Sequence, residues 1–442
     1  MSLKRFLKTS LPAAVDLASQ TMMWTIEAIF IGRLGAAALA GHSMAIQIVV
    51  VFFAVLLTFV VGAGLIINRH LGANDSTQAN HIFGQAMMMG ILLAFVFSIV
   101  WHSGAIHVFK LINEGGGDSA RAAGMMYLQT VALFGPLIMT NFVATGILRA
   151  VGDTQYSMAI NLLVNGINVV LAPVFIFGLL GVPRLEVQGA AIAVGISHSI
   201  GFCVSFVLLR TRRTRLYLSF REVATPRWSS FKELFKMGLP TTVEQLSWAL
   251  GQLVVMSYAG AFSVVVLSTH AIFMRVQNVL SMVYMGFSLA AMSAMGQNLG
   301  ASKHALAERA AHTAHRAMAV FVAVVVVLMI AFSKSLVQVF TTDAETVALG
   351  QKAIYVFAVA QIPKALNNVI SGNLRGIGEL NWLMLTTVGF VILFEVALNY
   401  IAVFILSWGL YGIWSIQAAD ESIRFGMHYI RFVNGSWRVK KR

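Results

Sequence analysis

The sequence has little charge, little proline and a single cysteine. Only 11% of its 442 residues are charged and 58% are hydrophobic, whereas a typical soluble domain has about 25% charged residues. This composition excludes a soluble globular protein and predicts an integral membrane protein. Cys203 has no second cysteine to pair with, so an intramolecular disulfide is excluded. Seven prolines against 37 glycines favour long helices that pack closely.

The hydrophobic segments are long and do not alternate. A transmembrane β-barrel needs segments of about ten residues with alternating hydrophobicity, whereas a membrane-spanning helix needs about 20 mainly apolar residues. The runs follow the second pattern, which predicts an all-α polytopic membrane protein with twelve transmembrane helices. The predicted spans lie near residues 11–32, 39–68, 84–110, 123–148, 156–181, 188–209, 237–260, 266–297, 316–339, 348–374, 380–407 and 410–432.

The basic residues indicate how these helices are oriented. Twelve spans place both termini on one side of the membrane, and most Lys and Arg residues fall on that side, eight of them in residues 210–236. Because basic loops stay in the cytoplasm, we expect both termini to be cytoplasmic in the plasma membrane (the inner membrane of a bacterium). Topology and contact with lipid headgroups then explain the net charge of +14, and no nucleic-acid partner is expected.

The second half of the chain repeats the first. An offset of 228 residues aligns the start of the two halves, and offsets of 226 and 231 continue the alignment. The aligned pairs include Pro12 with Pro240, Asp16 with Glu244, His42 with His270, Leu71-Gly72-Ala73 with Leu299-Gly300-Ala301, Arg149 with Arg375, Gly152 with Gly378, Asp153 with Glu379, Asn168 with Asn399 and Gly178 with Gly409.

Six predicted spans precede the basic loop and six follow it, so the two halves have the same orientation. Parallel repeats of this kind are typical of secondary transporters. We therefore predict an N-terminal six-helix lobe over residues 1–209, a basic cytoplasmic linker over 210–236, and a C-terminal six-helix lobe over 237–442.

Several different short motifs are distributed along nearly the whole chain. They are Pro12, Glu27 and Ile31-Gly32-Arg33-Leu34-Gly35 in the first span, Leu148 to Asp153 after the fourth, Asn168 and Pro173 in the fifth, Gly296 to Ala301 closing the eighth, and Gly435-Ser436-Trp437 near the end. Together they resemble the multidrug and toxic compound extrusion (MATE) family. The resemblance implies two six-helix lobes arranged in a V. It also implies an antiporter, not an enzyme, that exports amphipathic or cationic organic compounds in exchange for H⁺ or Na⁺ by alternating access.

Two carboxylates lie inside the first predicted span, where a charged group costs a few kcal/mol and indicates function by default. Asp16 and Glu27 are eleven residues apart, about three helical turns, and therefore face nearly the same way. No Lys or Arg lies inside a predicted span of the N-terminal half, so we expect both carboxylates to be unpaired and protonated in the empty protein. Glu27 also matches the position of the acid in the first span of MATE proteins. Both are predicted to couple the cation; the alternative is hydrogen bonding between helices.

Three asparagines form a polar stripe on the fifth span. Asn161, Asn165 and Asn168 lie at i, i+4 and i+7, on one helical face. An asparagine can coordinate a cation or bind both protonation states of an acid. We assign Asn165 and Asn168 to cation coupling and Asn161 to substrate binding, with hydrogen bonding between helices as the alternative.

The fifth span departs from the pattern that the resemblance implies for sodium-coupled relatives. Their span reads Asn-x-x-x-Asp-Pro, and a threonine follows early in the sixth. This chain keeps Asn168 and Pro173 but has Ala172 and Val194 at the other two positions. A hard-cation site needs about six oxygens, anionic ones among them. We therefore expect H⁺, and less readily Na⁺, as the coupling ion, with no other cofactor and no metal.

The C-terminal half has charges of both signs inside its predicted spans. Asp420 and Arg424 lie at i, i+4, with Gln417 on the same face, which predicts an internal ion pair.

Two more acids of this half are predicted substrate contacts. Glu244 lies in the seventh span, and Glu395 shares a helical face with Asn399, which we assign to the same role. The alternative is that these acids neutralise Lys364 or Arg275.

Aromatic and methionine side chains near an acid suit a site for amphipathic cations. The chain has 22 Met and 30 Phe, and Trp24 and Trp248 lie one turn from Glu27 and Glu244. We predict that both tryptophans contact substrate; the alternative is packing between helices or contact with lipid.

Other motifs give weaker signals. His70 and Asp75 spell the His-x4-Asp pair of some membrane acyltransferases, but the second copy of this loop lacks both residues, so we interpret the loop as part of the repeated architecture. We interpret the aligned His42 and His270 in the same way, with a proton-transfer role as the alternative. No phosphate-binding loop of the GxxxxGK[ST] type occurs.

The predicted partners are a small organic substrate, a coupling cation and membrane lipid, and we expect a monomer. A lipid-linked saccharide flippase of related architecture is the alternative function. It would favour a basic cavity, whereas the predicted spans carry several acids.

Overall fold

The computed structural model describes residues 3–112, 118–435 and 437, so Ser436 of the C-terminal motif lies outside the described part. The described residues are almost entirely helical and include no β-strand. Their helices are α1 (Leu3–Gly32), α2 (Ala36–Gly72), α3 (Ser76–Ile112), α4 (Asp118–Ala150), α5 (Thr154–Phe177), α6 (Glu186–Arg210), α7 (Phe220–Ala224), α8 (Trp228–Phe262), α9 (Val264–Gly300), α10 (His304–Ala331), α11 (Ser333–Gln338), α12 (Ala344–Ile377), α13 (Leu380–Phe390) and α14 (Gly409–Val433). Helix α13 continues as π-helix over Val391–Leu398 and Ile401–Ile405.

Twelve helical segments of the described chain are long, and each covers most of one predicted span. Nine of them are long and apolar enough to cross a membrane. The other three, α1, α8 and α14, are less hydrophobic because polar and charged side chains interrupt them. The predicted all-α polytopic architecture is confirmed.

The helices pack into two compact units. The N-terminal unit is Val15–Leu239; the C-terminal unit joins Met1–Ala14 to Pro240–Arg442, apart from the undescribed residues. The first part of α1 therefore packs in the C-terminal unit, and the first part of α8 packs in the N-terminal unit. Both helices change units close to their aligned prolines, where a proline removes a backbone hydrogen bond. The lobe boundaries at residues 209 and 237 stay predictions.

Each unit has one central helix. In the N-terminal unit α4 packs against α2, α3, α5 and α6, and in the C-terminal unit α12 packs against α9, α10, α13 and α14. The loops repeat as well, because Gly152 and Gly378 have φ of 91° and 93°, and Asn74 and Ser302 have φ of 58° and 56°. The repeat found in the sequence is therefore a structural repeat, and the loop that contains His70 is part of it.

The basic linker is attached to α3. Gln85 donates hydrogen bonds to the carbonyl oxygens of Glu222 (2.8 Å) and Thr225 (2.9 Å), and its own side-chain oxygen accepts one from the backbone N–H of Arg227 (2.8 Å). His81 contacts the carboxylate of Glu222. These bonds hold the short helix α7 against the N-terminal unit.

Glycine permits a close approach of each central helix to a neighbouring helix. A Cβ added at Gly372 of α12 would lie 2.3 Å from the carbonyl oxygen of Ser288 on α9. At the aligned position of the other unit, a Cβ on Gly146 would lie 2.9 Å from a methyl group of Val60. The first contact is shorter and involves rigid backbone, and the second involves only side-chain methyl groups.

We therefore predict that Gly372→Ala destabilises the protein more than Gly146→Ala. Overpacking costs about 1–3 kcal/mol, and the clash at Gly372 is shorter and involves backbone, which yields less than a side chain. The unfolding temperature of each purified variant in detergent measures the difference. Equal losses, or a larger loss for Gly146→Ala, would contradict the packing described for α9 and α12.

Candidate functional site

Asp16 of α1 is fully buried in the N-terminal unit, and the described partners of its carboxylate lie on α4 and α5. Arg149 Nη1 lies 2.9 Å from Asp16 Oδ2. The Ser157 hydroxyl donates to the same oxygen at 2.5 Å, and the Asn161 amide donates to Oδ1 at 2.7 Å. Asp16 is therefore an ion-paired carboxylate with both oxygens occupied.

The expectation that Asp16 is unpaired is wrong. It placed Arg149 in a loop after the fourth span, but α4 continues to Ala150 and the Arg149 side chain is buried. An arginine one residue beyond a hydrophobic run can still turn its side chain into the protein, and the hydrophobic pattern cannot show this.

The same ion pair occurs in the C-terminal unit. Arg375 Nη2 lies 2.6 Å from Glu244 Oε1, and these residues align with Arg149 and Asp16. Among the described residues Glu244 therefore pairs with Arg375 and not with Lys364 or Arg275, the alternatives considered from the sequence. Because both copies of the repeat contain it, the pair belongs to the shared architecture.

A second pair of acids is repeated after α4 and α12. Asp153 accepts a hydrogen bond from the backbone N–H of Arg215 (2.8 Å), and its aligned partner Glu379 lies 3.0 Å from Arg431 Nη2. Burial raises the pKa of Asp153, while the hydrogen bond and charge of Arg215 oppose this shift. Asp153 thus contacts the segment that follows α6, and Glu379 contacts the last turn of α14.

The asparagine stripe on α5 faces α1. Asn161 binds Asp16 as described, and Asn165 donates to the hydroxyl of Ser19 at 3.0 Å. Asn168 is buried, and its amide nitrogen has no hydrogen-bond partner within the described part of the chain. Asn161 and Asn165 thus make polar contacts between α5 and α1 in the N-terminal unit. The roles of the three asparagines in cation coupling and substrate binding stay predictions.

Glu27 has a different environment from Asp16. It is 1% exposed; the Tyr127 hydroxyl donates to its Oε1 at 2.9 Å, and His42 Nε2 lies 3.6 Å from the same oxygen. Its Oε2 has no hydrogen-bond partner, and no Lys or Arg nitrogen lies within 4.0 Å of the carboxylate, among the residues described. The expectation that no Lys or Arg pairs with the carboxylate is confirmed for Glu27.

The group formed by Glu27, Tyr127 and His42 is not repeated as a whole. In the aligned positions of the second half, Val255 replaces the acid and Ala353 replaces the tyrosine; both are buried. Only the histidine is kept, and the rings of His42 and Tyr127 meet edge to face with centroids 4.8 Å apart.

Tyr127 was missed in the sequence because a lone tyrosine in a hydrophobic span resembles a packing residue. Comparing the two halves position by position would have marked it, since its aligned residue is an alanine.

A charged cluster in the C-terminal unit joins α12 and α14. The predicted pair of Asp420 and Arg424 is confirmed at 2.5 Å, and Arg424 also lies 3.3 Å from Glu421. Lys364 Nζ lies 3.4 Å from Glu421 and 5.8 Å from the ring centre of Trp248. All four charged residues are buried, and their aligned residues are apolar: Ile138, Gly189, Ala190 and Ala193.

Glu395 lies near this cluster on the π-helical stretch that follows α13. Gln252 of α8 donates to its Oε2 at 2.7 Å. No described Lys or Arg, Lys364 included, lies within 4.0 Å of it. Asn399 follows on the same helix and is also buried.

The two tryptophans that were predicted to contact substrate differ in their exposure. Trp24 is 43% exposed, although the acid three residues later is buried, whereas Trp248 is partly buried beside Lys364. The structure thus connects Trp248, but not Trp24, with a buried charged group. Both substrate assignments stay predictions.

Removing one member of a repeated ion pair should lower the free energy of unfolding more than removing both members. We predict that Asp16→Asn lowers the free energy of unfolding by about 3 kcal/mol, because it leaves the Arg149 charge buried without a counterion. Asp16→Asn combined with Arg149→Gln should recover much of this loss, as should the matched Glu244→Gln with Arg375→Gln. Unfolding in detergent measures all variants. If the double variants are no more stable than the single ones, the pairs are not stabilised by charge compensation.

Comparison with known proteins identifies the family. Residues 12–174 and 240–401 both match the MatE family, one match in each half of the repeat. The chain is 24% identical to a probable multidrug resistance protein NorM of Thermotoga maritima, over 99% of this chain and 93% of that protein. It is 25% identical to a FAD transporter of Shewanella oneidensis, over 77% of this chain and 74% of that protein.

A solved structure of MATE in complex with MaL6 has the same fold, with a TM-score of 0.89 at 21% identity over 99% of this chain and 97% of that one. Two repeated six-helix halves, a buried acid in the first helix and two matches to one family lead to the same conclusion. The chain belongs to the MATE family of multidrug efflux transporters.

Proposed function

We propose that this protein is a proton-coupled antiporter in the plasma membrane, with cytoplasmic termini, that exports amphipathic organic cations. The observation that carries the proposal is the environment of Glu27. Its carboxylate is buried and has one neutral hydrogen-bond donor in Tyr127; His42 lies 3.6 Å away, and no Lys or Arg nitrogen lies within 4.0 Å, among the residues described.

The chemistry of this environment favours exchange of a proton for a cation. An ionised carboxylate without a counterion costs several kcal/mol in a protein interior, so the empty site takes up a proton. A cationic substrate provides the missing positive charge and releases that proton. Because each weakens the binding of the other, the two are coupled with opposite sign, which is the requirement for antiport.

His42 and Tyr127 have separate roles in this proposal. The Tyr127 hydroxyl stabilises the ionised carboxylate through a charge-assisted hydrogen bond. The ring of His42, 3.6 Å from the same oxygen, is placed to accept the released proton. Asp16 is assigned a positioning role, since Arg149, Ser157 and Asn161 already occupy both its oxygens.

The fifth and sixth helices support H⁺ over Na⁺. Ala172 and Val194 are 1% and 7% exposed, so buried apolar side chains occupy the two positions at which sodium-coupled relatives have oxygen ligands. A sodium site needs several oxygens at once, whereas a proton needs only the carboxylate of Glu27.

A cationic substrate is favoured over an anionic one. The FAD transporter among the relatives and the flippase alternative raise the question of an anionic substrate. Such a substrate would need positive charge inside the protein, and Lys364 and Arg424 are buried cations. These two cations contact two carboxylates, Asp420 and Glu421, and Glu395 adds a further acid. The buried charges of the C-terminal unit therefore attract a cation more readily than an anion.

Transport by reconstituted protein tests the proposal. In liposomes, an imposed pH gradient should drive accumulation of ethidium by the wild type, and Glu27→Gln should abolish it because glutamine cannot exchange a proton. Glu186→Gln, which changes an exposed acid of the same unit, should transport normally. Normal transport by Glu27→Gln, or transport driven by a Na⁺ gradient at equal pH, would refute the assignment.

Tyr127→Phe tests the hydrogen bond. A hydrogen bond to a charged group is worth about 1.5–3 kcal/mol, so its loss should weaken ethidium binding at neutral pH by about tenfold or more without preventing folding. Fluorescence titration of the purified protein measures the affinity, with Tyr156→Phe on α5 as the matched control. An unchanged affinity would show that the ionised form of Glu27 does not depend on Tyr127.

A further inference from the structure

Glu395 resembles Glu27 in its surroundings but lies in the other unit. It is 3% exposed, and one oxygen, Oε2, accepts a hydrogen bond from a neutral donor, the amide of Gln252. The other oxygen, Oε1, has no partner in the described part of the protein. Each unit thus contains one carboxylate with a single neutral donor and one bare oxygen.

The charges around Glu395 balance without it. Lys364 of α12 and Arg424 of α14 face this region, as do Asp420 and Glu421 of α14, and α8 contributes the uncharged Gln252. The two cations contact the two acids of α14, at 2.5 to 3.4 Å. An ionised Glu395 would therefore add a negative charge that no neighbouring cation is free to compensate.

Other buried oxygens near Glu395 also lack donors. Gln252 Oε1 and Asn399 Oδ1 have no hydrogen-bond partner among the residues that the structure covers. Buried acceptors are normally paired, so these oxygens lack the donors that burial requires. A proton on Glu395 both removes the uncompensated charge and provides a donor.

The repeat does not explain this arrangement. In the first half Val164 aligns with Glu395, Trp24 with Gln252 and Met23 with Gly251. A Cβ at Gly251 would lie 3.0 Å from Glu395 Oε2, so this glycine gives α8 room beside the carboxylate. The acid itself lies on π-helix, whereas the matching helix α5 is α-helical throughout.

We propose that Glu395 is a second proton-exchanging carboxylate, hydrogen-bonded by Gln252, so that each unit carries one exchangeable proton. This proposal rests on the proposed proton coupling and extends it from one site to two. Each carboxylate then releases its proton when an organic cation binds beside it.

Proton release on binding tests this directly. Ethidium is added in saturating amount to the purified protein in weakly buffered detergent solution, and a pH-indicator dye counts the protons released per protein molecule, across a series of starting pH values. At the pH of maximal release, Glu395→Gln should release about half as many protons as the wild type, as should Glu27→Gln, and the double variant should release almost none. Glu345→Gln, an exposed acid on α12, is the matched control and should behave like the wild type.

Glu395→Asp separates loss of the proton from loss of structure. It keeps an ionisable group, so it should release protons like the wild type, provided that its unfolding temperature matches that of Glu395→Gln. Undiminished release by Glu395→Gln would overturn the second site while leaving Glu27 in place. Loss of release in Glu395→Gln alone, with Glu27→Gln unaffected, would support the second site and refute the assignment of Glu27. If Na⁺, but not pH, changes ethidium binding through Glu395, the proton assignment is overturned.

Discussion

The cost of burying a charge in an apolar protein governs this structure. A buried ion without a partner costs several kcal/mol, so most buried charges here have one. Arg149 holds Asp16 in the N-terminal unit, and Arg375 holds Glu244 in the C-terminal unit. Each arginine lies in the last turn of the central helix of its unit. Each acid lies on a neighbouring helix, so the two pairs connect the central helices to α1 and α8.

Comparison of the two halves separates architecture from chemistry. Features present in both copies, such as the ion pairs, the loop geometry at Gly152 and Gly378 and the close approach at Gly146 and Gly372, are needed to build a unit. Glu27 and Glu395 have apolar aligned residues, Val255 and Val164. A buried acid that the fold does not require in one copy is retained in the other for another reason, and exchange of a proton for a cation is the reason we propose.

Much of the fold could be predicted from the sequence, but less of the site. The number of long helices, the repeat and the ion pair between Asp420 and Arg424 follow from hydrophobic periodicity and i, i+4 spacing, both of which are local. The partner of Asp16 could not be found in this way, because Arg149 is 133 residues away along the chain and outside the hydrophobic run. Tyr127 was missed for the same reason, since its contact with Glu27 joins α4 to α1.

The sequence by itself determined that this is a helical membrane protein with two parallel halves, because hydrophobic length and repeated spacing are properties of the chain alone. It also marked Glu27 and Asp16 as unusual, because acids are rare within apolar runs. Only the tertiary structure decided which of these two carboxylates is already paired with a Lys or Arg side chain. Whether a buried carboxylate is free to take up a proton depends on the charges that other helices bring within a few ångströms, and helix packing, not spacing, sets those distances.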